Sequence, residues 1–374
     1  CTNSEGAFYS SFDADSLTKD GVLEEGAYYV FTKEELTKEL GEDVELFESY
    51  YNINSFGLWE NNHYVLIRSK SDPVVCAEFG ITNQELQNKK QAWRKTLLNY
   101  RNKRDKPRLD DKILTSWNGL MLKGYVDAYK AFQEPAYLQA ALKNAHFIKS
   151  KQWQTSGALF HSYKDGKSTI NGYLEDYAAV IDAYIGLYEI TLDDQWLFIA
   201  NELTSYTYGH FFDSEKQLFY FTNDQDPSLI TRSFEYRDNV IPASNSMMAK
   251  NLYVLSHHFD NQTYGATASQ MLKNVLPEIE KYPSGFSNWL DLLANFQNSF
   301  YEIVVVGEDA QQKVKEIHQY YLPNKLVAGS TIEGNSPLLE QRFIENETFV
   351  YVCVNNACKM PETDVTKAID LIEL

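Results

Sequence analysis

Cysteine is scarce in this chain of 374 residues: there are four, at positions 1, 76, 353 and 358. They are too few and too unevenly spaced for a disulfide scaffold, which points to a reducing, cytoplasmic setting. Long apolar runs are missing as well. No stretch of about 18 apolar residues is there to span a membrane, and no charged-then-apolar leader opens the sequence, so a soluble protein without a membrane partner is expected. Basic residues are in deficit, 34 Lys and Arg against 52 Asp and Glu, which leaves a formal charge of −18. Such a surface repels phosphate backbones, and no nucleic-acid partner is expected. The G-x-G-x-x-G, P-loop, G-x-S-x-G and H-E-x-x-H patterns are all absent. The seven histidines are scattered, and the His257-His258 pair has no Cys or acidic partner at ligand spacing. Neither a metal nor a cofactor is therefore expected. The initiator Met is absent too, and Cys1 runs straight into structured-looking sequence, the pattern of an excised piece.

What is present is globular in kind, with 44% apolar and 23% charged residues. Aromatics reach 14%, 26 of them Tyr, and such rings stack on sugar faces as well as filling interiors. Two aromatic runs, 6–12 and 26–31, flank an acidic loop and read as a β-hairpin. Thr32 with Glu35 forms a capping-box pattern that predicts a helix over 33–40, stopped by Gly41. A second short helix is expected over 43–53. Residues 54–81 read as irregular apart from a strand at 63–68. Leu86, Trp93, Leu97 and Leu98 then predict a helix over 82–101. The basic run Arg101, Lys103, Arg104, Lys106 and Arg108 reads as a solvated linker, the alternative being pairing with Asp110 and Asp111 or with an anionic ligand.

The rest of the chain is organised around the stretch from Asp110 to Met121, because the helical pattern that begins there recurs twice downstream. Trp117, Leu120, Met121, Gly124, Tyr125, Ala128, Tyr129 and Phe132 share one helical face, and a second helix over 135–151 comes after them. After a hairpin-like link at 157–166 the scheme repeats over 173–190 and 194–209. After a link at 211–221 it repeats again over 242–255 and 263–281. Asn118, Tyr177 and Ser246, at matching places, are about 60 and about 70 residues apart, and two helices per period mean a helical-hairpin array. Loops gathered at one end of every inner helix favour closure into a double-layered barrel round a shared pocket. The barrel portion is assigned to residues 1–300. Strand signals at 301–306, 325–328 and 349–354, with a helix over 309–321, assign an α/β segment to 301–374.

Acidic or amide clusters sit just before or at the start of these inner helices: Asp13 with Asp15, Asp110 with Asp111, Glu175 with Asp176, and Asp238 with Asn239, followed by Asn245. Carboxylates held round one pocket split their pKa values and can act as general acid and base. Capping of a first helical turn is the competing explanation. It explains Asp110 and Asp111 less well, since they precede the cap at Thr115 or Ser116 by several residues. Trp117 would stack on a sugar ring while Asn118 reads a hydroxyl, or Trp117 would wedge the helix start into the core. Cys353 and Cys358 are separated by four residues that include the turn-forming Asn355-Asn356. Two sulfurs do not make a zinc site, so a structural thiol pair is the first reading and a redox pair the second.

Taken together, several segments resemble one family, the spermatogenesis-associated thioredoxin-like proteins and their bacterial counterparts. They are Gly6 to Ser16, Glu25 to Thr32, Pro107 with Asp110 to Met121, Glu175 to Ala178, and Tyr351 to Cys353 with Cys358 and Pro361. The resemblance covers essentially the whole chain. One motif departs from the pattern: Pro242-Ala243-Ser244-Asn245-Ser246 lacks a glycine, so only Pro242, Asn245 and Ser246 carry over. The resemblance implies a thioredoxin-like domain followed by an (α/α)6 barrel similar to that of N-acylglucosamine 2-epimerases and six-hairpin glycosidases. This chain would begin partway round that barrel, with another segment or chain supplying the thioredoxin-like part and the first hairpins. The implied fold is mainly α, an incomplete (α/α)6 helical-hairpin barrel with β-hairpin links and an α/β tail. The implied ligand is a small carbohydrate, processed or merely bound. The two histidines expected of an epimerase do not appear at matching positions, so a glycoside hydrolase-like use of carboxylates fits better. In that reading Asp111 and Asp176 form the acid/base pair and Asp110 and Glu175 orient them. Trp117, Asn118, Tyr177 and Asn245 line the pocket, and Asp13, Asp15 and Asp238 complete the substrate contacts. The alternative is a non-catalytic scaffold that partners a thioredoxin-like redox domain.

Overall fold

Helix signals dominate the chain, and the computed structural model describes residues 2–227 and 231–373; Cys1 lies outside them. The residues form two compact units, one spanning Ser11–Asp111 and the other made of the residues up to Ser10 together with those from Lys112 onward.

In the smaller unit short strands alternate with helices: β1 Ser11–Phe12, β2 Asp15–Leu17, β3 Leu23–Glu25, β4 Phe31–Thr32, α1 Lys33–Leu40, α2 Val44–Tyr51, β5 His63–Tyr64, α3 Asp72–Phe79, α4 Asn83–Arg101 and β6 Leu109–Asp110. The Thr32–Glu35 capping box is present, and a second box at Thr82 and Glu85 opens α4. The expected hairpin is re-paired. The acidic loop folds on itself as β2–β3, while the two aromatic runs go to different partners, β1 to β6 and β4 to β5. Alternation alone does not say which strand pairs with which. Helix α3 falls where irregular structure was expected. It has almost no amphipathic stripe, and its signals are a Pro in its first turn and Gly80 in the left-handed region at its end. The basic run also does more than link. Arg104 pairs with Glu35 at 2.8 Å and donates to the carbonyls of Ala27, Tyr28 and Val30, and Arg108 pairs with Asp13 at 3.0 Å.

In the larger unit β7 Ile113–Leu114 leads into the first helical hairpin, α5 Thr115–Phe132 and α6 Pro135–Phe147. A β-hairpin of β8 Phe160–Lys164 and β9 Lys167–Asn171 links it to α7 Leu174–Thr191 and α8 Asp194–His210, and β7 joins that sheet by pairing with β8. The link β10 Phe212–Asp213 with β11 Leu218–Phe219 precedes α9 Ser244–His258 and α10 Gln262–Ile279, after which comes α11 Ser287–Gln297. The three rounds are those the spacing predicts; α11 is an addition to them. Helices α5, α7 and α9 pack side by side as the inner layer, with α6, α8 and α10 outside. Helix α7 is buried on every face, as the middle of an inner layer must be. Gly119 sits where α5 crosses α7: a Cβ there would meet the Ala179 backbone at 2.8 Å. The architecture is thus mainly α, consecutive hairpins of an (α/α) barrel kind joined by β-hairpins.

The change of character near residue 300 lies inside this same unit. Strand β12 Tyr301–Val306 is buried on both faces and pairs in parallel with β13 Lys325–Ser330 and antiparallel with β14 Phe349–Val354, which turns into β15 Ala357–Cys358. Asn355 and Asn356 hold positive φ at that turn, the two-residue loop that matches strand twist. Helices α12 Ala310–Ile317 and α13 Val365–Ile369 cover one face through Val314, Ile317, Val365 and Ala368. Among the described residues no helix is long and apolar enough to cross a membrane.

Candidate active site

The N-terminal ends of the inner helices and the links that lead into them bring five polar side chains together. Ser116 lies in the first turn of α5, Glu175 and Asp176 in the first turn of α7, His161 on β8, and Glu235 ahead of α9. Asp176 is completely buried. One of its oxygens accepts the Ser116 N–H at 2.7 Å; the other accepts the Tyr173 N–H at 2.8 Å and meets His161 Nδ1 at 2.9 Å. Burial raises the Asp176 pKa, opposed by His161 and by the Tyr173 and Ser116 N–H groups; as the acceptor of these three donors the carboxylate leaves the proton on Nδ1. Asp176 therefore caps its own helix, joins α5 to α7, and fixes an imidazole, all with one carboxyl group.

Its neighbour Glu175 is half-buried, and its pKa is pushed up to about 7. Burial is the main cause, followed by the charges of Asp176 and Glu235; His161 and the Ser116 hydroxyl pull the other way. That hydroxyl is buried and has no hydrogen-bond partner of normal geometry among the described residues. Burial alone would depress the His161 pKa, but the bond to Asp176 and the charges of Asp176 and Glu175 outweigh it and leave the imidazole raised. Rings flank the cluster. Tyr173 lies 4.8 Å from His161 and stacks on Phe221 at 5.1 Å, and Trp117, next to Ser116, is 45% exposed.

His161, Glu175 and Asp176 offer donor atoms within 4.8 Å of one another, a spacing a divalent ion can bridge. Both Asp176 oxygens already accept N–H groups, however, and His161 Nδ1 is spent on one of them. The arrangement can serve proton handling and, through His161 Nε2 with Nδ1 held by Asp176, ligation as well.

Other residues singled out from the sequence have different employment. Asn118 is buried and uses its whole carboxamide: it accepts from Phe8 N–H at 2.8 Å and from Asn144, and donates to Phe8 O and Leu114 O. Tyr177 is buried, accepts the Leu159 N–H at 2.8 Å and stacks on Tyr206. Asn245 bridges both backbone groups of Phe219 to Glu235 O. Asp238 accepts the Ala243 and Asn288 N–H groups and the Ser246 hydroxyl, holding the starts of α9 and α11. Asp13, Asp15, Asp110 and Asp111 belong to the smaller unit: Asp13 is paired with Arg108, Asp15 lies exposed on β2, and Asp110 sits opposite Ser11 in register. His161 and Glu235 escaped the sequence reading, though both stand in the links that precede inner helices, the one positional signal available. Cys353 and Cys358 are joined as a disulfide.

The similarity read from the motifs is borne out by comparison with known proteins. The chain is 28% identical over 401 residues to Spermatogenesis-associated protein 20 of Homo sapiens, covering 96% of this chain and 51% of that protein. To the Mus musculus protein of the same name it is 27% identical, with the same coverage. It is 26% identical to an uncharacterized protein of Caenorhabditis elegans, over 100% of this chain and 55% of that one. The chain thus spans about half the length of the curated relatives it matches. No protein-family model matches it. Among solved structures it is similar to a GH76 alpha-mannanase of Bacteroides thetaiotaomicron, with TM-score 0.40, 17% identity and coverage of 61% of this chain and 66% of that one. It is also similar to cellobiose 2-epimerase of Bacillus thermoamylovorans, with TM-score 0.39, 12% identity and coverage of 73% and 66%.

Proposed function

We propose that the mouth formed by the starts of α5, α7 and α9 is a carbohydrate-processing site in which Glu175 is the proton donor. The observation that carries this reading is a carboxyl group poised at about 7 beside an imidazole fixed by a buried aspartate. A general acid works best with its pKa near the operating pH, and a His held by a carboxylate is suited to take the proton in return. Asp176, saturated and enclosed, positions His161, while Glu175 meets the ligand; this exchanges the roles expected for the two from sequence. Trp117 and Tyr173 supply flat apolar faces on which a sugar ring can stack. Every residue called on here belongs to the larger unit.

The test is a screen of mono- and oligosaccharides for turnover by the wild type and by Glu175→Gln. Turnover of a substrate should be lost with rising pH on a limb near 7, and Glu175→Gln should lose roughly 100-fold or more in turnover. The competing reading, a non-catalytic scaffold for a thioredoxin-like partner, is favoured by the number of candidates, Asn118, Tyr177 and Asn245, that are spent on backbone groups. No sugar bound or turned over, together with co-purification of a thioredoxin-like protein, would decide for it.

A further inference from the structure

The Cys353–Cys358 bridge lies far along the chain from the acidic mouth and has features a structural staple does not need. The two residues face each other across the β14–β15 hairpin. The Lys359 N–H donates to Val352 O just beyond them, so theirs is a closely spaced, non-hydrogen-bonded position where cross-strand side chains meet. A bridge of sequence separation 5 removes little loop entropy. The hairpin is in any case set by the Asn355-Asn356 turn and held by Asn356 N–H donating to the buried Glu302.

Two asymmetries mark the pair. Cys353 is buried while Cys358 is exposed. Arg342 Nη1 stands 3.2 Å from Cys358 Sγ and 3.8 Å from Cys353 Sγ. The guanidinium is held there by stacking on Tyr351 at 4.8 Å, and the Tyr351 hydroxyl donates to Arg342 O. Arg342 forms no ion pair among the described residues, in a chain with a large acidic excess. A cation aimed at neutral sulfur gains little; aimed at a thiolate it gains a charge-assisted contact and lowers the thiol pKa.

We propose that Cys353–Cys358 is an exchange-active disulfide whose exposed sulfur, Cys358, meets an external dithiol, with Arg342 as the positioning residue that stabilises the Cys358 thiolate. A thiolate of the dithiol attacks Cys358 Sγ; the bridge breaks, and its electron pair leaves on Cys353 Sγ, which takes up a proton. The second thiol of the dithiol then attacks its own sulfur in the mixed disulfide and expels Cys358 as a thiolate beside Arg342. Two electrons and one proton pass from the dithiol to this pair, the dithiol's other proton going to solvent, and the reverse sequence reduces a partner disulfide.

The experiment uses the full chain with dithiothreitol as the dithiol. After reduction and removal of the reagent, limiting iodoacetamide is added at about pH 6.5, where an unassisted thiol is nearly all protonated. Alkylation is then mapped by peptide mass spectrometry, with Cys76 as the internal reference. Cys358 is expected to react about tenfold faster than Cys353 and Cys76, Arg342→Met to lose roughly that factor, and Arg342→Lys to keep most of it. A bridge that dithiothreitol reduces only on unfolding, a Cys358 no faster than Cys76, or an Arg342→Met rate equal to wild type would each overturn the proposal. If Arg342→Met fails to fold, the pH midpoint of Cys358 alkylation in the wild type decides: below the ordinary thiol value supports it, at that value refutes it.

Discussion

Replacing Asp176 with Asn is the sharpest perturbation of the mouth, because this carboxylate is fully buried and serves three donors. The amide keeps one oxygen, which can still accept the Ser116 N–H. Its NH2 group then faces the Tyr173 N–H, leaving a buried donor unsatisfied at a cost of about 1–3 kcal/mol. The charged contact to His161 is lost as well, about 1.5–3 kcal/mol. Relief of the desolvation that the buried charge suffers offsets part of this, so a net loss of about 3 kcal/mol is expected. Urea denaturation followed by circular dichroism reads it, and the His161 pKa, followed by NMR, should fall as the partner charge disappears. A loss below about 1 kcal/mol with an unmoved His161 would refute the reasoning, since it would mean that neither the N–H groups nor the imidazole depends on the carboxylate.

Glu175→Gln should behave in the opposite sense. The Glu175 pKa stands at about 7 against an ordinary 4.5, so below 4.5 the group is protonated in both states and contributes nothing. Between the two values the unfolded chain ionises first and stability falls with rising pH; above 7 the full penalty applies. The shift corresponds to about 3.4 kcal/mol, and solvent at the half-open mouth reduces this to about 1–1.5 kcal/mol. Glu175→Gln should therefore match wild type near pH 4 and exceed its stability by that amount near pH 8; a pH-independent difference in urea melts would count against it. Gly119→Ala should destabilise the protein by about 1–3 kcal/mol through the clash with the Ala179 backbone, despite the higher helix propensity of Ala. A neutral or raised melting temperature would show that the α5–α7 crossing has slack.

The sequence carried the helical-hairpin array because α5, α7 and α9 each present an apolar face followed by a partner helix and a link, a period that survives without coordinates. Helix α3 was hidden because its short length leaves no amphipathic stripe and only its end signals announce it. Strand partners in the smaller unit were illegible for a different reason: two-residue strands carry no register. At the site, the cluster Glu175-Asp176 was visible as paired acids at a helix start, but the division of labour between them was not. Which of two adjacent carboxyl groups turns inward depends on the helix phase and on who waits there, His161 from β8 and Ser116 from α5, and neither is local in sequence. Asn118 and Asn245 stand out as candidate ligand contacts because amides at helix starts are noticeable; their backbone partners, the half-buried Phe8 and the buried Phe219, explain them equally well and could be found only in space.

The most direct test of the central claim is the titration of the Glu175 carboxyl itself, followed by 13C NMR of Glu-labelled protein with Glu175→Gln to assign the resonance. A midpoint near 7 is predicted, moving downward in Asp176→Asn as a neighbouring negative charge is removed. A midpoint in the ordinary carboxylate range would mean that Glu175 is ionised throughout the physiological range, and it would contradict the account of this mouth as a proton-donating site.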